Sequence, residues 1–180
     1  MENSRICAIS ISQEETMLSK KMEKALNEQI NKEMFSAYIY LSMATFLAEK
    51  RYDGMASFMQ VQAQEELEHA MKIYGFVEER GGRVLLDAIA KPDSDFQNPL
   101  KVFETALGHE KFISKSINDL VDLAIAEKDH ATKEFLAWFV KEQVEEEANM
   151  DRIVGQMQMI GDHGHGLFML DRHLGERKAD

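Results

Sequence analysis

The sequence predicts an all-α fold, a four-helix bundle with one long crossover and a short fifth C-terminal helix. Three observations carry this. Only two prolines, Pro92 and Pro99, interrupt the 180 residues, and both lie mid-chain, while 12 methionines and few β-branched runs favour helix. Apolar residues recur at alternating three- and four-residue steps over four long stretches, the period of a helix with one buried face. One connection, residues 81–98, is long where the others are short.

Ser19 is a good N-cap, and apolar periodicity then runs to about Ala48. A second periodic stretch starts near Asp53 and stops at Gly81-Gly82, a C-terminal signal. Asn98-Pro99 supplies a cap followed by proline at the first helical position and opens a third helix reaching about Glu127. The fourth begins near Asp129 or His130 and ends at Gly161, and Leu167 to Leu174 predicts a stubby fifth. Short turns make helices one and two antiparallel, and likewise three and four. A helix of about 28 residues is ~42 Å long. The strap between helices two and three can reach ~60 Å when extended. It can therefore climb the whole bundle and make those helices parallel, one of the standard bundle layouts.

Composition narrows the function. Hydrophobic residues make up 44% and charged residues 29%, as in a folded soluble domain. The net charge of −11 argues against nucleic acid and suits a protein that attracts cations. No apolar run approaches the ~18 residues of a membrane span. The start of the chain lacks the pattern of a secretory signal, and Cys7 has no second cysteine to pair with, so the cytoplasm is the expected compartment.

The informative feature is where the apolar seams fail. Helix one reads Leu26, Ile30, Glu33, Ala37, Tyr40, Ala44, Leu47; helix two reads Met55, Met59, Gln62, Glu66, His69, Ile73, Phe76. Helix three reads Phe103, Ala106, Glu110, Ile113, Ile117, Leu120, Ala124; helix four reads Leu136, Phe139, Gln143, Glu146, Met150, Ile153, Met157. Each seam is apolar except near its middle, where it carries a carboxylate. One such Glu is commonly a residue that snorkels to solvent, and a lone Glu-x-x-His is a common triplet. Four at one level are different, because buried carboxylates cost several kcal/mol each when unpaired and would take up protons unless a cation sits among them. Glu66 and His69 are three apart and share a face, so both can bind one metal. Oxygen ligands with one imidazole suit iron or manganese, with zinc possible.

These residues resemble the site of the non-haem bacterial ferritins. The matching segments run from Asn27 to Glu33, from Ala63 to His69, through His109-Glu110, and from Trp138 to Glu147; the likeness extends from about Met17 to Leu174. The resemblance implies a ferritin-like domain over residues 17–180, with residues 1–16 as a flexible N-terminal extension. It implies that Glu33, Glu66 and His69 bind a first iron, and that Glu66 bridges to a second held by Glu110 and Glu146. Gln143 stands where the family keeps a hydrogen-bonding or weakly liganding amide. Tyr40 resembles the family's redox-active tyrosine; as a residue it reads equally as a core aromatic with a satisfied hydroxyl. Trp138 reads as core before electron donor. Glu65, Glu142 and Glu145, with a share of Glu146, match a third and weaker iron position, though the same residues also read as a solvated acidic face. Glu68 reads as solvated.

What the resemblance implies is an iron store with ferroxidase activity. Fe(II) is oxidised by dioxygen or hydrogen peroxide at a two-iron site, with a possible third iron, and deposited as mineral inside a homo-oligomeric shell of 24 subunits. Helix four carries Glu146-Glu147-Ala148-Asn149 in place of a second Glu-x-x-His, which disfavours the haem-binding branch, so no haem is expected. A rubrerythrin-like di-iron peroxide reductase is the alternative, and a single cysteine excludes the Cys-rich iron domain usual there. The segment from Leu167 to Leu174 is expected to serve assembly, with His163, His165 and His173 as surface residues.

Overall fold

A computed structural model of the chain describes residues 17–161 and 163–177; the expected extension, residues 1–16, lies outside the described residues. Five helices follow in order: α1 Lys20–Glu49, α2 Asp53–Glu79, α3 Pro99–Glu127, α4 His130–Ile160 and α5 Gly164–Leu174. The start signals act as their chemistry requires. Ser19 accepts from the Met22 amide, Asn98 from Lys101, and Asp129 from Thr132, each relieving an amide without a helical partner. Gly81, at φ 70°, turns the chain out of α2. The fifth helix starts at Gly164, ahead of the expected Leu167, because its first turn is glycine and histidine and carries no apolar period.

The strap does run along the bundle, and α1 holds it there. Asn27 accepts from the Leu85 amide at 2.6 Å and donates to the Arg83 carbonyl at 3.0 Å. Farther along the same helix, Asn31 donates to the Asp87 and Ala88 carbonyls, and Ser42 donates to that of Asp93. The strap thus ascends in the direction of α1 and delivers Phe96, packed on Phe46 and buried, to the opposite end. Helix α3 starts from there and runs parallel to α2.

The core divides in two. One apolar cluster joins Tyr40 to Leu47 of α1 with the first half of α2, the start of α3, the end of α4, and α5. The other joins Leu18 to Ile30 with the end of α2, the end of α3 and the start of α4. Between them lies a layer of buried polar side chains that includes Glu33, Glu66, Glu110 and Glu146. The seams read from sequence are buried throughout, apart from Phe76, which is half-buried and stacks on Phe135 with ring centroids 3.9 Å apart.

Helix α5 folds back onto the start of α2. The Met55 amide donates to the Asp171 carboxylate at 2.8 Å. A side chain at position 54 would meet the Asp171 carbonyl oxygen at 1.8 Å, so the crossing requires Gly54. Apolar side chains remain in the open on α1 (Tyr38, Leu41), α2 (Leu67, Met71) and the strap (Leu85, Leu86, Ile89). Among the described residues no helix is long and apolar enough to cross a membrane.

Candidate metal centre

The tightest grouping of metal-binding side chains comes from α1 and α2. Each of Glu33, Glu66 and His69 offers one ligand atom, and these atoms lie within 4.8 Å of one another. All three are buried, Glu66 at 2% and His69 at 6% exposure. Burial pushes the Glu33 carboxyl up to about 7, against the pull of hydrogen bonds accepted from Gln29 and Glu66 and of the Lys32 charge. Glu66 is held well above the usual carboxylate range, by burial first and then by the charges of Glu110, Glu33 and Glu146. His69 moves the other way, down to about 4, through burial and then Lys72, so its imidazole is neutral and ready to bind a metal. Its Nδ1 stands 3.5 Å from Glu66 Oε2.

Two oxygens decide the chemistry. Glu33 Oε2 and Glu66 Oε2 are buried, and no amide, hydroxyl or cationic donor satisfies either. A buried carboxylate oxygen left bare is costly in a core that otherwise satisfies its polar groups. Two of them beside a neutral imidazole make a donor set that fits a divalent cation such as Fe(II).

The other expected ligands face this group from α3 and α4, each tied to a neighbour. Glu110 accepts from the Tyr40 hydroxyl, and from the Gln143 amide at 3.0 Å. Burial raises its carboxyl to about 7, the Tyr40 bond lowers it, and the Glu146 charge raises it. Glu146 accepts from Gln62 Nε2 at 3.0 Å. Its carboxyl too is raised, chiefly by burial, with Arg177 and Gln62 pulling it down. Tyr40 is a fully buried aromatic whose hydroxyl is satisfied by one of the expected ligands. Burial, followed by the Glu110 charge, keeps its phenol protonated far above its ordinary range. Gln143 holds Glu110 as an amide donor.

Glu65, Glu142 and Glu145 are not drawn into such a group. Glu145 is exposed and Glu142 half-buried, both on α4, where their charges raise the Glu146 carboxyl. Glu65, on α2, accepts from the Arg177 guanidinium at 2.6 Å. Arg177 lies just beyond α5, donates also to Gln62 Oε1, and stacks over the Phe58 ring at 4.6 Å. The turn just beyond the segment expected to serve assembly therefore reaches the rim of the carboxylate layer. Glu68 is exposed, as expected.

Sequence reasoning missed the polar residues behind the expected ligands. Gln29 and Ser116 carry no motif spacing, Gln62 lay on a seam with no role attached, and Arg177 had no signal at all. Trp138 differs from its expected place in the core. It is 38% exposed because α4 turns it outward, where it sets its edge against His69 and takes the Lys72 ammonium over its face at 4.0 Å. His109, beside Glu110, pairs its Nε2 with Ser36 Oγ at 2.8 Å rather than with the carboxylates.

Comparison with known proteins agrees with the geometry. The ferritin-like domain family matches residues 23–160. A bacterial non-heme ferritin of Campylobacter jejuni is 44% identical over 158 residues, covering 88% of this chain and 95% of its own length. One from Bacteroides fragilis is 43% identical over 161 residues, covering 89% and 100%. The solved structure of an open-pore ferritin from Archaeoglobus fulgidus superposes with a TM-score of 0.89 at 48% identity, covering 91% of this chain and 99% of that one. Fold, carboxylate layer and relatives converge, and the chain belongs to the ferritin family.

Proposed function

We propose that the chain stores iron, and that it oxidises Fe(II) at a two-iron centre held by Glu33, Glu66, His69, Glu110 and Glu146. The observation that carries this reading is the pair of bare buried oxygens on Glu33 and Glu66 beside neutral His69. Glu33, Glu66 and His69 take the first iron; Glu66 reaches across to the second, which Glu110 and Glu146 complete. Each Fe(II) gives one electron. A dioxygen that accepts two electrons and two protons leaves as hydrogen peroxide, and a peroxide that accepts the same leaves as two waters. Burial holds the Glu33, Glu66 and Glu110 carboxyls above their usual range, so metal entry displaces the protons held there close to where the oxidant needs them. Oxygen ligands match the hard Fe(III) product and let it move on to mineral.

The shell is a homo-oligomer of twenty-four copies, supported by the open apolar side chains on α1, α2 and the strap. It works in the cytoplasm, without haem. The test is size-exclusion chromatography after aerobic Fe(II) loading. A large particle that retains hundreds of irons is expected; a small species with two irons per chain would indicate a redox enzyme instead.

A third, weaker iron position lies at Glu65, Glu142, Glu145 and Glu146. Arg177 holds Glu65 in the metal-free protein, so a third iron competes with a guanidinium for that carboxylate. Replacing Glu65, Glu142 and Glu145 together by Gln is expected to preserve the pair. It should shift iron consumption toward about two Fe(II) per dioxygen, the ratio for a pair making peroxide. Oxygen-electrode ratios equal to the parent's would reduce these residues to a charged surface.

A further inference from the structure

Two glutamines stand behind the metal layer, and both are completely buried. Gln29 Nε2 donates to Glu33 Oε1 at 2.8 Å, and its Oε1 accepts from the Ser116 hydroxyl at 2.6 Å. Ser116 Oγ in turn accepts from the Lys32 ammonium at 2.5 Å. On the other side, Gln62 Nε2 donates to Glu146 Oε2 at 3.0 Å, and its Oε1 accepts from the Arg177 guanidinium.

Both chains begin at a cation, and this settles their direction. An ammonium and a guanidinium only donate. Ser116 takes the Lys32 proton on one of its two lone pairs and directs its own proton to the Gln29 carbonyl. Each glutamine must then turn its carbonyl toward the incoming donor and its NH2 toward the glutamate. Reversing Gln62 sets its NH2 against a guanidinium that only donates, and reversing either amide sets its carbonyl against the ionised form of its glutamate, losing hydrogen bonds where no solvent replaces them. Free amides read ambiguously; the donors around these two favour one orientation of each.

We propose that Gln29 and Gln62 are positioning residues of the two-iron centre, each aimed by a donor chain that starts at a cation and each fixing one glutamate ligand. Gln29 takes Glu33 Oε1 and so leaves Oε2, the bare oxygen, to serve as the atom Glu33 offers a metal beside Glu66 and His69. Gln62 takes Oε2 of Glu146 in the same way. The first chain runs from Lys32 on α1 to Ser116 on α3 and back to α1, and the second from just beyond α5 through α2 to α4. Glu33 and Glu146 are thus each held from behind by a separate device, as Tyr40 and Gln143 hold Glu110. This inference rests on the reading of Glu33 and Glu146 as iron ligands.

The experiment is anaerobic calorimetric titration of the metal-free assembled protein with Zn(II), which binds without redox chemistry. Glu33→Gln and Glu146→Gln identify the equivalent that each glutamate holds. Gln29→Met, close in shape but without a donor, is expected to weaken the Glu33 equivalent about tenfold or more, the usual scale for loss of an outer partner. It should leave the Glu146 equivalent alone, and Gln62→Met should do the converse. Ser116→Ala reaches the ligand only through Gln29 and does not disturb the core seam. It should weaken the Glu33 equivalent by a smaller factor, and Ser116→Thr should restore it. Melting temperature and elution volume confirm that each variant folds and assembles. If Glu33→Gln removes an equivalent while Gln29→Met and Ser116→Ala titrate like the parent, the positioning role is overturned and the ligand assignment stands. If Glu33→Gln and Glu146→Gln both keep two parental equivalents, the ligand assignment itself is wrong and the inference goes with it.

Discussion

Glu66→Ala is expected to abolish the rapid phase of Fe(II) oxidation while leaving the bundle folded and assembled. Glu66 is the carboxylate on which the charges of Glu33, Glu110 and Glu146 all bear, and its Oε2 is bare. Losing an outer partner of a metal ligand costs roughly 10–100-fold. Removing a ligand that serves both metals should exceed that, so the fast phase should fall more than about 100-fold. The metal-free variant should melt no lower than the parent, since a buried acid amid three others is removed and little packing is lost. Stopped-flow absorbance at two Fe(II) per chain is the measurement, and an unchanged rate would refute the role. His69→Ala should act in the same direction, with the first iron lost more than the second.

The second large effect is on stability against pH. Glu33 and Glu110 both sit at about 7 in the folded chain, against an ordinary 4.5, and Glu66 is raised as well. A carboxyl raised in this way holds its proton longer in the folded state than in the unfolded one. The stability it contributes is fully present below pH 4.5 and is lost as pH rises through 7. For a single group the swing is roughly 3 kcal/mol. Chelator-treated protein should therefore melt at a lower temperature at pH 8 than at pH 6. Zn(II) should reverse the order, because a cation takes the place of the protons and binds only the folded chain. Scanning calorimetry at both values, with and without metal, checks this. The triple variant Glu33→Gln, Glu66→Gln, Glu110→Gln should lose most of the slope; a slope equal to the parent's would place its origin elsewhere.

The helices and the buried carboxylate layer were legible in the sequence for one reason. An apolar seam is a strong periodic signal, and a glutamate in its middle is a conspicuous violation of it. Glu33, Glu66, Glu110 and Glu146 are visible because they break a rule that their neighbours obey. Gln29 breaks none. It lies off the Leu26, Ile30, Glu33 steps, and a glutamine on a helix is ordinary. Its role depends on Ser116, 87 positions away, and no spacing rule connects them. Arg177 is less visible still, because its reach to Glu65 depends on how α5 turns back at Gly54. Trp138 misled because an aromatic beside a seam reads as core, although one helical step of ~100° was enough to place it on the outside of His69.

The docking of α5 on α2 also bears on the order in which the molecule is made. Helices α1 and α2, and α3 and α4, pair with sequence neighbours and can form as the chain emerges. Helix α5 seats itself on residues synthesised long before it; the Met55 to Asp171 bond closes a span of 116 residues. Contacts of such range form late, and the C-terminus is the last part of a chain to leave the ribosome. The guanidinium that holds Glu65 and contacts Gln62 is therefore expected to reach its place after the antiparallel pairs have formed. A chain ending before α5 would keep Glu33, Glu66, His69, Glu110 and Glu146 and lose the guanidinium that holds Glu65 and Gln62.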